Sequence, residues 1–306
     1  MDKILAPHYE STLSRSAKEQ VVLAVQDTTT LNYSTHRATT GLGPIASTED
    51  GGIGLLLHNT MVFNLERTPL GLLDVQCWAR NPEEFGKRHR RHQLPIEQKE
   101  SYKWLKSLRA VAAAQKRCPE TMLVSVGDRE ADIYELFALA LSAGNGPKLL
   151  VRAERKRLLA DGQGHLWDHV KSQPQGLRPL SGIAQVHVPR KGLPGQGSRP
   201  AREAQVEIRF ARVTLKPPKR KPELGELTIW VALAEEVNYP DDVKEPLQWL
   251  LLTTLEVNSF EQAVAKVDWY GCRWGIEVYH RTLKSGCKIE ARQLGSADSV
   301  SAIWRS

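Results

Sequence analysis

The sequence predicts an α/β fold in which a mixed sheet is flanked by helices and interrupted by a β-rich insertion. Two short apolar runs, at residues 21–25 and 122–126, have the composition of strands that are buried on both faces. Elsewhere, apolar residues recur at the spacing of amphipathic helices. From about residue 154 to 245 the pattern changes to short alternating strands separated by turns rich in glycine and proline.

The same patterns predict the remaining elements. Further strands are predicted at 53–63, 69–78, 148–152, 184–188, 204–215, 227–233 and 249–254. Helices are predicted at 97–117, 130–141 and 260–284, the last one broken near Asp268 or Gly271. Outside the insertion, three strands, a helix, a strand, a helix and a strand follow one another, which is the order of a ribonuclease-H-like layout.

This order predicts four regions. Residues 21–153 and 246–294 form the ribonuclease-H-like core, and residues 154–245 form the β-rich insertion. Residues 1–20 are polar and are interpreted as a connector, and residues 295–306 as an irregular tail.

Composition limits the class of protein. The chain has 306 residues and four cysteines that form no C-x-x-C pair, which favours a globular protein of a reducing cytoplasm over a disulfide-rich or zinc-knuckle protein. No apolar run has the length of a membrane span or the position of a signal peptide. The net charge of +7 is concentrated in basic clusters at 87–92, 152–157 and 216–221. Such clusters attract nucleic acid, but each is equally typical of a solvated loop.

Two acidic residues follow buried strands of the predicted core. Asp27 comes after the first strand and Asp128 after the fourth, and in this layout those two strands are neighbours. Adjacent carboxylates repel unless a cation lies between them, and oxygen ligands favour a hard cation such as Mg²⁺. Taken singly, each aspartate is also typical of a turn or a helix cap, and the sequence from Gly127 to Glu130 suits a helix start.

The last helix carries four chemically active side chains. Tyr270, Arg273, Glu277 and Lys284 have offsets of 0, 3, 7 and 14. At about 100° per residue these positions fall within an arc of roughly 60°. One helix face is therefore predicted to carry a phenol, a guanidinium, a carboxylate and an ammonium, although Arg273 and Glu277 also have the spacing of an ordinary surface ion pair.

The spacing Y-x-x-R-x-x-x-E-x-x-x-x-x-x-K resembles the signature of bacterial DDE transposases of the IS-four insertion-sequence superfamily, the Tn-five transposase type. Gln26-Asp27-Thr28-Thr29 resembles the first acidic motif of that family, and the segment from Gly127 to Asp132 resembles the second. The resemblance extends from Val21 to about Leu294.

The resemblance implies a function and a site. Asp27, Asp128 and Glu277 would hold two Mg²⁺ ions, or Mn²⁺ in their place, for DNA strand cleavage and strand transfer. Tyr270, Arg273 and Lys284 would bind phosphates of the transposon end. Trp249 resembles a family tryptophan that stacks on a flipped base, with a core tryptophan as the equal alternative.

The expected partners are DNA, as transposon ends and target, and a second copy of the chain or a full-length transposase, in the bacterial cytoplasm at the nucleoid. Compared with the family, the sequence lacks a recognition domain before Asp27 and a helical region after Glu277, so it is expected to be truncated at both ends. Two alternatives follow: an inactive remnant or inhibitory partner of a full-length transposase, and a domesticated nuclease of the same fold.

Other polar residues are expected to have no catalytic role. Asp132 and Glu135 are interpreted as solvent-facing helix residues. His58, His89 and His92 have no metal-ligand spacing, and Ser125 has no base partner. A serine-hydrolase triad is therefore not supported.

Overall fold

The structure is a computed structural model that describes residues 2–46, 52–84, 94–142, 144–160, 162–172, 181–189, 201–241, 243–293, 295–297 and 299. The chain divides into two compact units, one formed by Met1–Leu123 with Gly275–Ser306 and the other by Val124–Trp274. The predicted tail and the basic cluster at 87–92, with His89 and His92, lie largely or wholly outside the described residues.

The strands, in chain order, are β1 (Val21–Asn32), β2 (Gly43–Pro44), β3 (Ile53–Phe63), β4 (Pro69–Trp78), β5 (Met122–Gly127), β6 (Lys148–Arg152), β7 (Ser181–Val188), β8 (Arg202–Leu215), β9 (Leu227–Glu236) and β10 (Gln248–Thr253). The α-helices are α1 (Asp2–Ser16), α2 (Tyr102–Arg117), α3 (Tyr134–Ser142), α4 (Leu166–Lys171), α5 (Phe260–Gly271) and α6 (Trp274–Arg281).

In the first unit, β3 is the central strand and pairs antiparallel with β1, β2 and β4. The register with β1 sorts side chains onto two faces, because successive residues of a strand point to opposite sides. Asp27 pairs with Asn59, so both lie on one face, and Thr28 pairs with His58 on the other. We call these the Asp27 face and the His58 face.

Apolar packing covers both faces. On the His58 face, α2 supplies an apolar side, and one buried cluster combines strand and helix residues: Leu13, Val22, Ala24, Val62, Leu70, Leu73, Val111, Ala114, Cys118 and Leu123. On the Asp27 face, Leu31, Tyr33, Leu55 and Leu57 form a second cluster, against which Leu283 packs.

Two helices of this unit differ from their predicted form. Residues 2–16, interpreted as part of a connector, form α1, because Leu5 and Leu13 give the polar segment a buried side. The helix predicted to start at residue 97 starts at Tyr102 instead. A short 3₁₀ turn, Ile96–Gln98, precedes it.

In the second unit, β5 runs parallel to β6, and the other neighbours are antiparallel in the order β6, β10, β9, β8 and β7. The strands of the predicted insertion therefore continue the sheet that contains β6. Helix α5 packs on β7, β8 and β9, and α4, which the sequence did not predict, packs on β8 and β9. The division into core and insertion stays a prediction, since the compact units divide the chain elsewhere.

The predicted fold class is confirmed. Strands of a mixed sheet are flanked by helices. Apart from the two-residue strand β2, the order β1, β3, β4, α2, β5, α3 and β6 is the predicted ribonuclease-H-like order. All four cysteines are free thiols, in agreement with the absence of a disulfide framework. None of the described helices has the length and hydrophobicity of a membrane span.

His58 is a buried titratable group within this core. Its ring packs edge-on against Trp104 at 4.7 Å between centroids, and Nδ1 lies 2.9 Å from Oγ1 of Thr28. Nε2 has no hydrogen-bond partner among the described residues. Burial, with the charges of Lys103 and His280, holds the pKa of His58 well below its ordinary value of 6.5. The ring is therefore neutral in the folded protein near neutral pH.

A pH dependence of stability follows. The unfolded chain takes up a proton at His58 below about pH 6.5 while the folded chain does not, so folding stability falls as pH falls from about 7 to about 5, by at most about 1.4 kcal/mol per pH unit from this group. Urea unfolding at several pH values measures the slope. We expect His58→Asn, whose amide can still face Thr28, to flatten it.

The control for this experiment is His8→Asn, because His8 is exposed on α1. The slope, not the absolute stability, is the readout, since the smaller asparagine side chain in place of His58 leaves a cavity at every pH. An unchanged slope in His58→Asn would contradict the neutral, buried assignment.

Candidate active site

Asp27 lies inside β1 and not after it. The sequence predicted that the strand ends near residue 25, but β1 continues to Asn32, because the polar residues after Asp27 still pair with β3, Thr28 with His58 and Thr30 with Leu56. Cross-strand pairing thus extends the strand beyond its apolar run. The side chain of Asp27 is 16% exposed.

Two polar side chains accompany Asp27 on its face of the sheet. Asn59 is its cross-strand partner and is buried. His280, from α6, has Nδ1 3.8 Å from Oδ2 of Asp27 and Nε2 3.1 Å from Oδ1 of Asn59. Sequence inspection did not single out either residue. The position of His280, one helical turn after Glu277, could have identified it from the sequence. Asn59 could not have been identified in this way, because its position depends on the pairing of β3 with β1.

Glu277 lies in the first turn of α6 and is exposed. A carboxylate is favourable there because the N-terminal end of a helix carries a partial positive charge. Gly275 permits the close packing of this turn, since a Cβ at that position would lie 2.6 Å from the ring of Phe63. The helix start that carries Glu277 is thereby seated directly on β3.

The last helix is broken near Gly271, as the sequence predicted. Helix α5 ends at Gly271 and α6 begins at Trp274, with Arg273 between them. The amides of Cys272 and Arg273 bond to carbonyls three residues back, at 3.1 and 3.0 Å, which tightens the chain into a turn. Lys284 lies in a π-helical turn, Thr282–Gly286. The arc of roughly 60° was calculated for a regular α-helix, so it does not apply across these two turns.

Asp128 follows β5 directly and caps the 3₁₀ helix Arg129–Ala131, where its Oδ1 accepts the N–H of Glu130 at 2.9 Å. The helix-start interpretation of this aspartate is therefore confirmed as a structural role. Its Oδ2 lies 3.6 Å from Nη2 of Arg273, and its side chain is 25% exposed. The cap uses Oδ1, so this structural role is compatible with the predicted role of Asp128 as a metal ligand.

An aromatic and basic group surrounds Arg273 in the same unit. Trp249 is buried, with its ring 4.9 Å from Tyr270 and 5.4 Å from Trp274. Burial raises the pKa of Tyr270, while Arg273 and Arg152 oppose that effect. Arg152 bonds to Tyr270 and donates to the carbonyl of Gln248 at 2.9 Å.

Burial and repulsion from its basic neighbours act on Arg152. Burial is the largest cause of its lowered pKa, and the charges of Arg129 and Arg273 add to it. The sequence placed Arg152 only within a basic cluster and did not single it out. The structure instead separates that cluster into Arg152 beside Tyr270, exposed residues at 155–156, and a buried Arg157.

Asp132 was interpreted as solvent-facing, and this is wrong. It is buried, and its Oδ1 accepts Nε of Arg157 at 2.8 Å, while its Oδ2 accepts the amides of Glu154 and Arg155 at 2.8 and 2.6 Å. The side chain fixes the segment after β6. Glu135 is likewise not free in solvent, since it forms an ion pair with Lys221.

The other predicted positions have simpler surroundings. Lys284 is partly exposed. The basic cluster at 216–221 forms a largely exposed turn closed by the amide of Lys221 on the carbonyl of Pro218 at 2.8 Å, in agreement with the solvated-loop interpretation.

The donor chemistry of Asp27, Asp128 and Glu277 fits Mg²⁺, because each offers carboxylate oxygens with access to solvent. In the described part of the chain, no three His, Cys, Asp or Glu side chains are grouped so that they could hold a metal ion. Asp27 and Glu277 belong to one unit and Asp128 to the other. Their joint role as ligands stays a prediction.

The chain was compared with protein families and with solved structures. No protein-family model matches the chain. The cryo-EM structure of the piggyBac transposase synaptic complex with hairpin DNA is similar to 98% of this chain, with 8% sequence identity and a TM-score of 0.41. This chain spans 48% of that one. At this identity and TM-score we draw no conclusion about function from the similarity.

Asp128 and Asp132 belong to the same sequence motif but have different structural roles, which stability measurements can distinguish. Asp132→Asn leaves the buried charge of Arg157 without its counter-ion, so we expect a loss of about 3 to 5 kcal/mol in unfolding free energy. Asp128→Asn keeps a good capping side chain at a partly exposed position, so we expect a change within about 0.5 kcal/mol. Urea denaturation measures both, and similar losses in the two variants would contradict these assignments.

Proposed function

We propose that this chain is the catalytic part of a DNA transposase of the IS-four superfamily type, which cleaves DNA strands and transfers them with divalent metal ions. The observation that supports this proposal most directly is the order of three acidic residues along the elements of the fold. Asp27 lies on β1, Asp128 directly after β5, and Glu277 at the start of α6. The sequence from Tyr270 to Lys284 that surrounds Glu277 supports the family assignment.

In this proposal Asp27, Asp128 and Glu277 hold two Mg²⁺ ions, for which Mn²⁺ can substitute. The ions supply activation of the attacking oxygen and stabilisation of the leaving oxygen at phosphorus. The protein contributes the ligands and their orientation. The partial exposure of Asp27 and Asp128 supports this role, since a ligand must be reachable by a hydrated ion and by DNA.

We propose that the group around Arg273 binds DNA phosphate. A guanidinium offers paired donors that match phosphate oxygens, and the like charges of Arg273 and Arg152 make this group electropositive. Tyr270 is buried, so it offers DNA little contact surface. We assign it instead the role of orienting Arg152. Lys284 serves as a single positive charge for another phosphate.

Trp249 is the weakest member of the proposed DNA-binding set. Its ring is buried between Tyr270 and Trp274, as expected of a core tryptophan. A flipped base could stack on it only after displacement of one of these rings. The proposal therefore assigns phosphate binding to the arginines and keeps base stacking as a secondary expectation for Trp249.

DNA is the proposed partner, as transposon ends and as target, in the bacterial cytoplasm at the nucleoid. A second copy of the chain or a full-length transposase is the proposed protein partner. We keep residues 21–153 and 246–294 as the proposed catalytic core and residues 154–245 as its insertion.

The proposal predicts loss of cleavage on neutralising the triad. Asp27→Asn, Asp128→Asn and Glu277→Gln should each reduce nicking at least about 100-fold, because ligand loss removes several kcal/mol of transition-state stabilisation. The measurement is Mg²⁺-dependent nicking of a supercoiled plasmid that carries the DNA flanking this coding sequence.

The matched control is Glu256→Gln, since Glu256 is exposed like Glu277 and lies outside the proposed site. It should nick as fast as the unmodified chain. Equal nicking by the unmodified chain and Glu277→Gln would refute the role of Glu277. Absence of nicking in all forms, with binding to a full-length transposase, would favour the inactive or inhibitory alternative.

A further inference from the structure

His280 is a buried histidine within contact distance of a proposed metal ligand. It lies on α6, one turn after Glu277, and its side chain is 8% exposed. Burying an imidazole is unfavourable unless its nitrogens find polar partners.

Asn59 supplies one of those partners and determines which nitrogen carries a proton. Its Oδ1 lies 3.1 Å from Nε2 of His280. An amide oxygen can only accept, so Nε2 donates. Nδ1 is then the nitrogen on the side of Asp27, 3.8 Å from Oδ2. At that distance the ring borders the carboxylate of Asp27.

The register of β1 and β3 determines the positions of both Asp27 and Asn59. Asn59 is the cross-strand partner of Asp27, and it is 1% exposed. The backbone pairing that positions Asp27 therefore also positions the residue that holds the ring beside it. Asp27, Asn59 and His280 form a chain of polar contacts from the sheet to α6.

We propose that His280 is a positioning residue: anchored by Asn59, its ring limits the directions in which the Asp27 carboxylate can face, and so prepares Asp27 to bind a divalent cation. The inference rests on the proposed function, because it takes Asp27 as a metal ligand. His280 itself acts through Asp27. Side chains that orient metal ligands typically change metal affinity by about 10-fold to 100-fold when they are removed.

The test is Mn²⁺ binding to the full chain, measured from the electron paramagnetic resonance signal of free Mn²⁺. We expect His280→Ala to weaken binding by about 10-fold to 100-fold. Asn59→Leu, similar in size but without an acceptor, should weaken it in the same direction because the ring loses its anchor. The double variant should be no weaker than His280→Ala, since both changes break one chain of contacts.

His280→Gln provides the conservative variant, because its amide can still donate to Asn59. It should retain most of the affinity that His280→Ala loses. Val278→Ala is the control on the same helix, since Val278 is exposed, and it should bind Mn²⁺ as the unmodified chain does. Thermal unfolding of each variant identifies any that fails to fold, and the remaining members of the set still decide the question.

The outcomes separate this inference from the proposed function. Asp27→Asn with unchanged Mn²⁺ binding, or no binding by the unmodified chain, would remove Asp27 as a ligand and overturn both. Weakened binding in Asp27→Asn together with unmodified affinity in His280→Ala and Asn59→Leu would overturn the positioning role alone. Equal losses in His280→Gln and His280→Ala would also overturn it, because the conservative variant preserves the proposed contact.

Discussion

The antiparallel register of β1 and β3 is the constraint on which the first unit depends. It places Asp27 opposite Asn59 on one face and Thr28 opposite His58 on the other. The His58 face is closed by α2, whereas the Asp27 face receives α6 and the turn after it. A slip of one residue would exchange the two faces, bury Asp27 under α2 and expose apolar side chains. The packing that stabilises the sheet is thus the same packing that keeps a carboxylate accessible.

Most of the fold could be predicted from the sequence because its elements have strong local patterns. Residues 53–63, 69–78 and 148–152 form strands as predicted, since apolar composition and turn residues determine their ends. The extension of β1 to Asn32 could not be predicted, because it depends on pairing with a distant strand. The same holds for α1, whose Leu13 is buried in a cluster with residues of distant elements, β4 and α2 among them.

The candidate site was only partly accessible to sequence inspection. Motif spacing identified Asp27, Asp128 and Glu277. The structure places Asp128 directly after a strand and Glu277 on a helix as predicted, whereas Asp27 lies inside β1 and not after it. The break near Gly271 was predicted, but spacing alone does not reveal the π-helical turn at Lys284. Asp132 has the local signature of an exposed helix residue and is instead buried by Arg157, a partner 25 positions away. Long-range contacts therefore distinguish a structural aspartate, such as Asp132, from one that is predicted to bind a ligand, such as Asp128.

In the proposed function, Asp27, Asp128 and Glu277 bind the same metal centre. Iron-mediated cleavage tests it directly, because Fe²⁺ bound in place of Mg²⁺ generates hydroxyl radicals that cut only the backbone near the ion. With ascorbate and peroxide, the full chain bound to DNA should be cut near all three residues, and excess Mg²⁺ or the change Asp128→Asn should suppress all three cuts together. Cuts confined to one of the three segments, or cuts that persist in Asp128→Asn, would contradict a shared metal centre.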